Sequence, residues 1–144
     1  MRHHGEARVQ RERLDRLVQR HGTSQTHADK AMQALIVEAQ RTALLLSGNA
    51  LRDAGLIAAV QKLEHYEIAA YGGAAALAGQ LGWRDDQRLL HQSLDEKKRA
   101  DAELTQLAED EINPAAAAAE ETTEAEEEAK AEEEGETKAE VEKA

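Results

Sequence analysis

Apolar residues recur along this chain at helical spacing, and where the pattern breaks, Gly or a short polar run breaks it. Residues 6–20 carry Val9, Leu14, Leu17 and Val18 and stop at His21-Gly22, a glycine stop that predicts the end of a first helix. Thr23 and the residues up to Thr26 read as a loop. A second helix is expected over 28–46, where Met32, Leu35, Ile36, Ala39, Ala43 and Leu46 repeat before Ser47-Gly48-Asn49 interrupts them. A third spans about 51–81 despite Gly55, Gly72, Gly73 and Gly79, which mark close approach to a neighbouring helix or, at Gly72-Gly73, a bend. Gly82 ends it, and a fourth begins near Asp85-Asp86, acids suited to a helix amino end, and runs to about 108. No repeat and no strand pattern is present, so the fold class is all-α: an antiparallel helical bundle.

Two of these helices place charge on their apolar face. With Val60 as zero and about 100° per residue, Leu56, Leu63, Ala70 and Ala74 gather on one line and Glu67 falls among them. Glu64 lies on the flank of that stripe and His65 projects away. In the fourth helix the face of Leu90 continues through Leu94, Lys97, Asp101, Leu104 and Ala108, so a lysine and an aspartate interrupt it one turn apart. A short connection makes these helices antiparallel neighbours, which predicts a polar layer of Lys97, Glu67 and Asp101, with Tyr71 one turn beyond Glu67 within its reach. Inward carboxylates of this kind serve a metal, an ion pair or a buried network. The ion pair is the simpler account: Lys97 neutralises Glu67 or Asp101.

Composition divides the chain in two. Of its 144 residues, 110–144 hold 14 of the 29 acidic residues but only 3 of the 18 lysines and arginines, leaving 15 of each sign in residues 1–109. The chain's net charge of -11 therefore belongs to the tail. With no apolar residue after Pro114 larger than Val141, that tail is expected to be disordered or transiently helical, a solubilising segment or an arm for basic surfaces. Residues 1–109 form one helical domain with no Phe, one Trp and two Tyr, and so a core of Leu, Ile, Val and Ala.

The chemistry excluded is broad. Without Cys there are no disulfides, thiolate sites or thiol enzymes. No phosphate loop, nucleophile elbow or spaced zinc motif occurs, so no catalytic and no cofactor-binding residue is assigned. No apolar run spans a bilayer and the amino terminus lacks the apolar stretch of a signal peptide; a cytoplasmic protein without a membrane partner is expected. The arginines at 8, 11, 13, 16 and 20 are interleaved with Glu12 and Asp15, which argues against nucleic acid and makes this helix a partner for the acidic tail.

The segments Gln61-Lys-Leu-Glu-His-Tyr-Glu-Ile-Ala-Ala-Tyr-Gly72, Ala-Leu-Ala-Gly-Gln-Leu-Gly82 and Leu94-Asp-Glu-Lys-Lys98 with Ala100-Asp101 resemble the YciE/YciF-type ferritin-like family of bacterial stress-associated proteins. The match is specific over about 53–107. It weakens over 3–14, where Gln10 and Arg13-Leu14 look like the later part of that family's second bundle helix. The resemblance implies a ferritin-like four-helix bundle, a homodimer and a two-metal carboxylate site for iron or manganese. Carried over residue by residue, Glu67 and Asp101 match inward acids, His3 with Glu6 matches the histidine and acid of the second helix, and Glu64 and His65 match the motif. Two departures count against the metal. The chain starts inside the second helix, so the first helix and its glutamate are expected to be absent, an amino-terminally truncated bundle. Lys97 also stands where the family pattern has an acid, and an ammonium adds positive charge where anionic ligands are needed. The expected function is a ferritin-like, non-enzymatic stress protein, a helical homo-oligomer with a degenerate metal site. The alternative is a di-iron or di-manganese carboxylate protein that binds or oxidises iron, completed by another chain.

Overall fold

The computed structural model describes the backbone of residues 2–22 and 27–141, and the side chains of 5–22, 27–125, 129 and 130. The expected loop at 23–26 lies outside the described residues. The elements are all helical: α1 Arg2–Arg20, α2 Lys30–Leu45, α3 Asn49–Gln80, α4 Arg84–Leu107 and α5 Asn113–Val141, with a π turn, Ala108–Ile112, joining the last two.

Local chemistry sets the boundaries. Gly82, at φ 74, closes α3 with the paired bonds of a left-handed cap: Trp83 N–H donates to Ala78 C=O at 2.9 Å and Gly82 N–H to Gly79 C=O at 3.1 Å. Asp29 starts α2 by accepting from Met32 N–H at 3.0 Å, a cap the apolar pattern does not reveal. α3 continues through Gly72-Gly73 without a break, and a Cβ at either would meet no atom within 4 Å. Close approach is instead found at Gly55, where a Cβ would strike Leu46 Cδ1 and lie 2.9 Å from Thr42 Cγ2 of α2. Pro114 offers no N–H to the ladder and its ring crowds the preceding turn, and the π turn just before it is where the helix absorbs that mismatch. Beyond Ala116 every described side chain of α5 is exposed, so that helix rests on the propensity of Ala and Glu, the physics of the transient helix that composition allows.

The centre of the fold is the antiparallel α3–α4 hairpin; α2 lies along α3 and α1 along α4, and among the described residues α1 and α2 do not approach each other. Leu17, Tyr71, Ala75, Ala78, Leu90 and Leu94 form the core, with Ile68, Ala74 and Leu89 against it.

Two helical faces differ from those expected. With Ile57 as zero, Glu64, Ile68, Tyr71 and Ala75 fall within about 40° of one line, whereas Glu67 sits about 80° away. The buried line of α3 is thus rotated by roughly 90° from the expected stripe of Leu56, Leu63, Ala70 and Ala74, and Ala70 is exposed. The cause is that α3 packs against α2, α4 and the start of α5, so apolar residues spread around it and the stripe alone does not fix its phase. In α1 the buried residues are Gln10, Arg13 and Leu17, while Val9, Leu14 and Val18 are 36%, 39% and 38% exposed. α2 buries no residue fully, and Leu44 is 86% exposed.

Candidate functional site

Lys97 projects from α4 into the hairpin with 11% of its side chain exposed, and its Nζ lies 2.6 Å from Glu67 Oε2 and 3.4 Å from Glu64 Oε1. Glu64 is the deeper of the two acids, 14% exposed against 30% for Glu67, which reverses the order read from the helical wheel. Burial alone would push the Lys97 ammonium toward neutrality, but the hydrogen bond and charge of Glu67, followed by those of Glu64, outweigh it and hold the pKa above the usual lysine value. The group is a cation shared by two carboxylates.

Asp101 does not join it. One turn further along α4, Asp101 Oδ2 lies 3.3 Å from His65 Nε2 and Oδ1 3.5 Å from Gln61 Nε2, whose amide also donates to Thr105 Oγ1 at 2.8 Å. His65 is 67% exposed, in keeping with a residue off the stripe, yet it reaches Asp101 across the helix pair. Tyr71 is buried in the core below these pairs. Its hydroxyl is pushed above the ordinary phenol value, first by desolvation and then by the charge of Glu67, against the opposite pull of Lys97 and Arg13. Glu6 meets Arg99 of α4 at 3.5 Å. The side chain of His3 lies outside the described residues.

The second cluster was not anticipated from the sequence. Arg13, grouped above with the arginines of the first helix, is buried and grips Glu96 with both arms, Nη1 to Oε2 at 2.6 Å and Nη2 to Oε1 at 2.8 Å, while Nη1 also reaches Ser93 Oγ at 3.2 Å. Gln10 adds a bond to Glu96 Oε2 at 3.1 Å. Arg13, then Gln10, hold the Glu96 carboxyl below its usual range against desolvation. The spacing Gln10, Arg13, Leu17 is one helical face, a signal visible once an arginine is allowed to point inward. Asp86 is likewise more than an amino-end acid. It is buried and paired with Arg20, and lies 2.5 Å from His21 Nε2, whose ring stacks on Trp83 at 4.0 Å between centroids. The bond with His21 is the main reason its carboxyl sits low. Beside this corner an open apolar groove of about 380 Å³ runs between α1, α3 and α4, lined by Leu17, Val18, Leu77, Leu81, Trp83 and Leu90 among others.

Comparison with known proteins places this arrangement. A family model described as a domain of unknown function, DUF892, matches residues 1–117. Protein YciF of Escherichia coli K12 is 44% identical over 113 residues, 77% of this chain and 68% of that protein. The chain is a member of the DUF892 family, of YciE/YciF type. The crystal structure of the E. coli stress protein YciF superposes with a TM-score of 0.70 at 44% identity, over 77% of this chain and 71% of that one. A Rhodopseudomonas palustris protein, YcfI, does so with 0.67 at 38% identity, over 72% and 66%.

Within that YciF-like frame the donor set can be set against a two-metal centre. Such a centre needs several anionic oxygens converging on two adjacent cations. Here the space between Glu64 and Glu67 is filled by the Lys97 ammonium, Asp101 is turned to His65 and Gln61, and Glu6 is turned to Arg99. Among the described residues no three of His, Asp or Glu converge in a way that could hold a metal ion. These residues do not fit a two-metal site.

Proposed function

We propose that this DUF892 chain acts as a metal-free helical homo-oligomer of the YciF stress-protein type, a cytoplasmic scaffold in which a lysine takes the place of a bound cation. The observation that carries the reading is Lys97 Nζ at 2.6 Å from Glu67 and 3.4 Å from Glu64: a fixed positive charge already neutralises the acids a metal would need. The stress association is the description given to the E. coli relative. No described helix is long and apolar enough to cross a membrane. Association is supported by the uncovered apolar side of α2, where Val37, Leu44 and Leu45 are 58%, 86% and 69% exposed, a patch that self-association would bury.

The test is metal content per chain after expression with iron or manganese, for the natural chain, Lys97→Glu and Glu67→Ala. The expected result is no stoichiometric metal in the natural chain and a gain only in Lys97→Glu, where a third carboxylate replaces the ammonium. Near two metal ions per natural chain, lost in Glu67→Ala, would instead establish the iron or manganese carboxylate protein. Sedimentation giving a stable monomer would remove the oligomer from the proposal.

A further inference from the structure

The attachment of α1 to α4 is largely polar. A bundle helix is ordinarily held by an apolar stripe, but α1 buries one apolar residue, Leu17, beside Gln10 and Arg13. Among the described residues its backbone approaches α4 and no other helix. What holds it is a set of polar bonds to two carboxylates of that helix: Glu96, which accepts from both arms of Arg13 and from Gln10, and Asp86, which takes Arg20 and His21. A further bond, Arg99 to Glu6 at 3.5 Å, has its arginine 55% exposed. The other layers are joined differently. α2 and α3 meet at the close contact of Gly55 with Leu46 and Thr42, and α3 and α4 meet along their length and through Lys97.

We propose that α1 is a charge-latched strap, closed by Glu96 and Asp86, that opens as a unit while the α3–α4 hairpin stays folded. Opening uncovers Tyr71, Ala75, Ala78, Leu90 and Leu94, the apolar surface on which Leu17 now rests and which continues the groove beside Trp83. Local opening of this kind is expected where buried apolar area is small and polar bonds face water at their edges. The inference concerns how α1 is held, and stands whether or not the Lys97 site takes metal.

Native-state hydrogen exchange on the full chain tests it. Amides in the middle of α1 should exchange at least about 10-fold faster than those in the middle of α3. Replacing both latches, Glu96→Gln with Asp86→Asn, should speed α1 by a further 10- to 100-fold, on the order expected for lost charge-assisted bonds, and leave α3 unchanged. One common rate for α1 and α3 in the natural chain, or equal acceleration of both in the double variant, would overturn the proposal. Should the double variant fail to fold, brief trypsin treatment of the natural chain still decides: cleavage at the exposed Arg8, Arg11 and Arg16 must precede cleavage at the exposed Lys62 of α3, and simultaneous cleavage sinks the strap.

Discussion

Glu96 and Lys97 are neighbours in sequence, about 100° apart around α4, and so they face different helices. Glu96 looks toward α1 and is gripped by a planar guanidinium in two parallel bonds of 2.6 and 2.8 Å, with Gln10 completing it. Lys97 looks toward α3 and is a compact charge shared unequally by Glu67 at 2.6 Å and Glu64 at 3.4 Å. The first arrangement fixes direction, because a fork pairs with a carboxylate in one orientation. The second fixes charge and little else, the service a bound cation would provide. One helix thus uses a clamp to hold a removable neighbour and a point charge to stabilise a permanent one.

The contrast is broken most sharply at Lys97. Removing the ammonium as Lys97→Ala leaves two poorly exposed carboxylates facing each other, and should cost about 3–5 kcal/mol in urea unfolding. Lys97→Met combined with Glu64→Gln and Glu67→Gln removes all three charges and should recover most of that loss. A single-variant cost of a few tenths of a kcal/mol would mean that the charges are already well hydrated. On the other side, Arg13→Ala should cost about 2–3 kcal/mol, less than Lys97→Ala because Gln10 keeps one bond to Glu96. Arg13→Lys should restore only part of it, since one ammonium cannot make both bonds of the fork. Full rescue by lysine would erase the distinction between clamp and point charge.

The two regions should also fail at opposite ends of the pH scale. Glu96 and Asp86 have carboxyl pKa values lowered by their partners, so their contribution to stability is present above the unfolded carboxyl value of about 4 and is lost as pH falls through the folded values. Lys97 has its pKa raised, so its contribution is complete below the unfolded value of about 10.4 and is lost as pH rises through the folded one. The single tryptophan, Trp83, stacks on His21 and reports the α1 corner. Its fluorescence should change in acid before helical circular dichroism does, whereas in alkali the two should change together.

These two clusters were unequally legible in the sequence. Lys97 could be read because it interrupts a clean line of Leu90, Leu94, Leu104 and Ala108, and a charge within such a stripe is conspicuous. The all-α architecture followed from the same periodicity, and Gly82 ended its helix as a left-handed residue does. Arg13 was missed because α1 holds six arginines and three acids, and the apolar pattern of Val9, Leu14 and Val18 pointed to a face the structure leaves half exposed. Polar residues leave no periodic mark when most of their neighbours are polar too. Glu64 was underrated for another reason: a helix of 32 residues rich in alanine and packed on several sides has no unique apolar phase, and an error of about 90° exchanges the places of Glu64 and Glu67.

The smallest predicted effect separates the two regions without touching either ion cluster. Gly73 lies inside α3, is exposed, and a Cβ there would meet no atom within 4 Å. Gly73→Ala should therefore add about 0.5–1 kcal/mol through helix propensity and the reduced freedom of the unfolded chain, read as a higher urea midpoint. If α1 opens independently, that gain slows exchange of α3 amides and leaves α1 amides where they were, because the open and closed strap contain the same folded α3. If α1 and α3 slow together, α1 is released only by global unfolding, and the difference between the Glu96 clamp and the Lys97 charge is one of chemistry without a difference in motion.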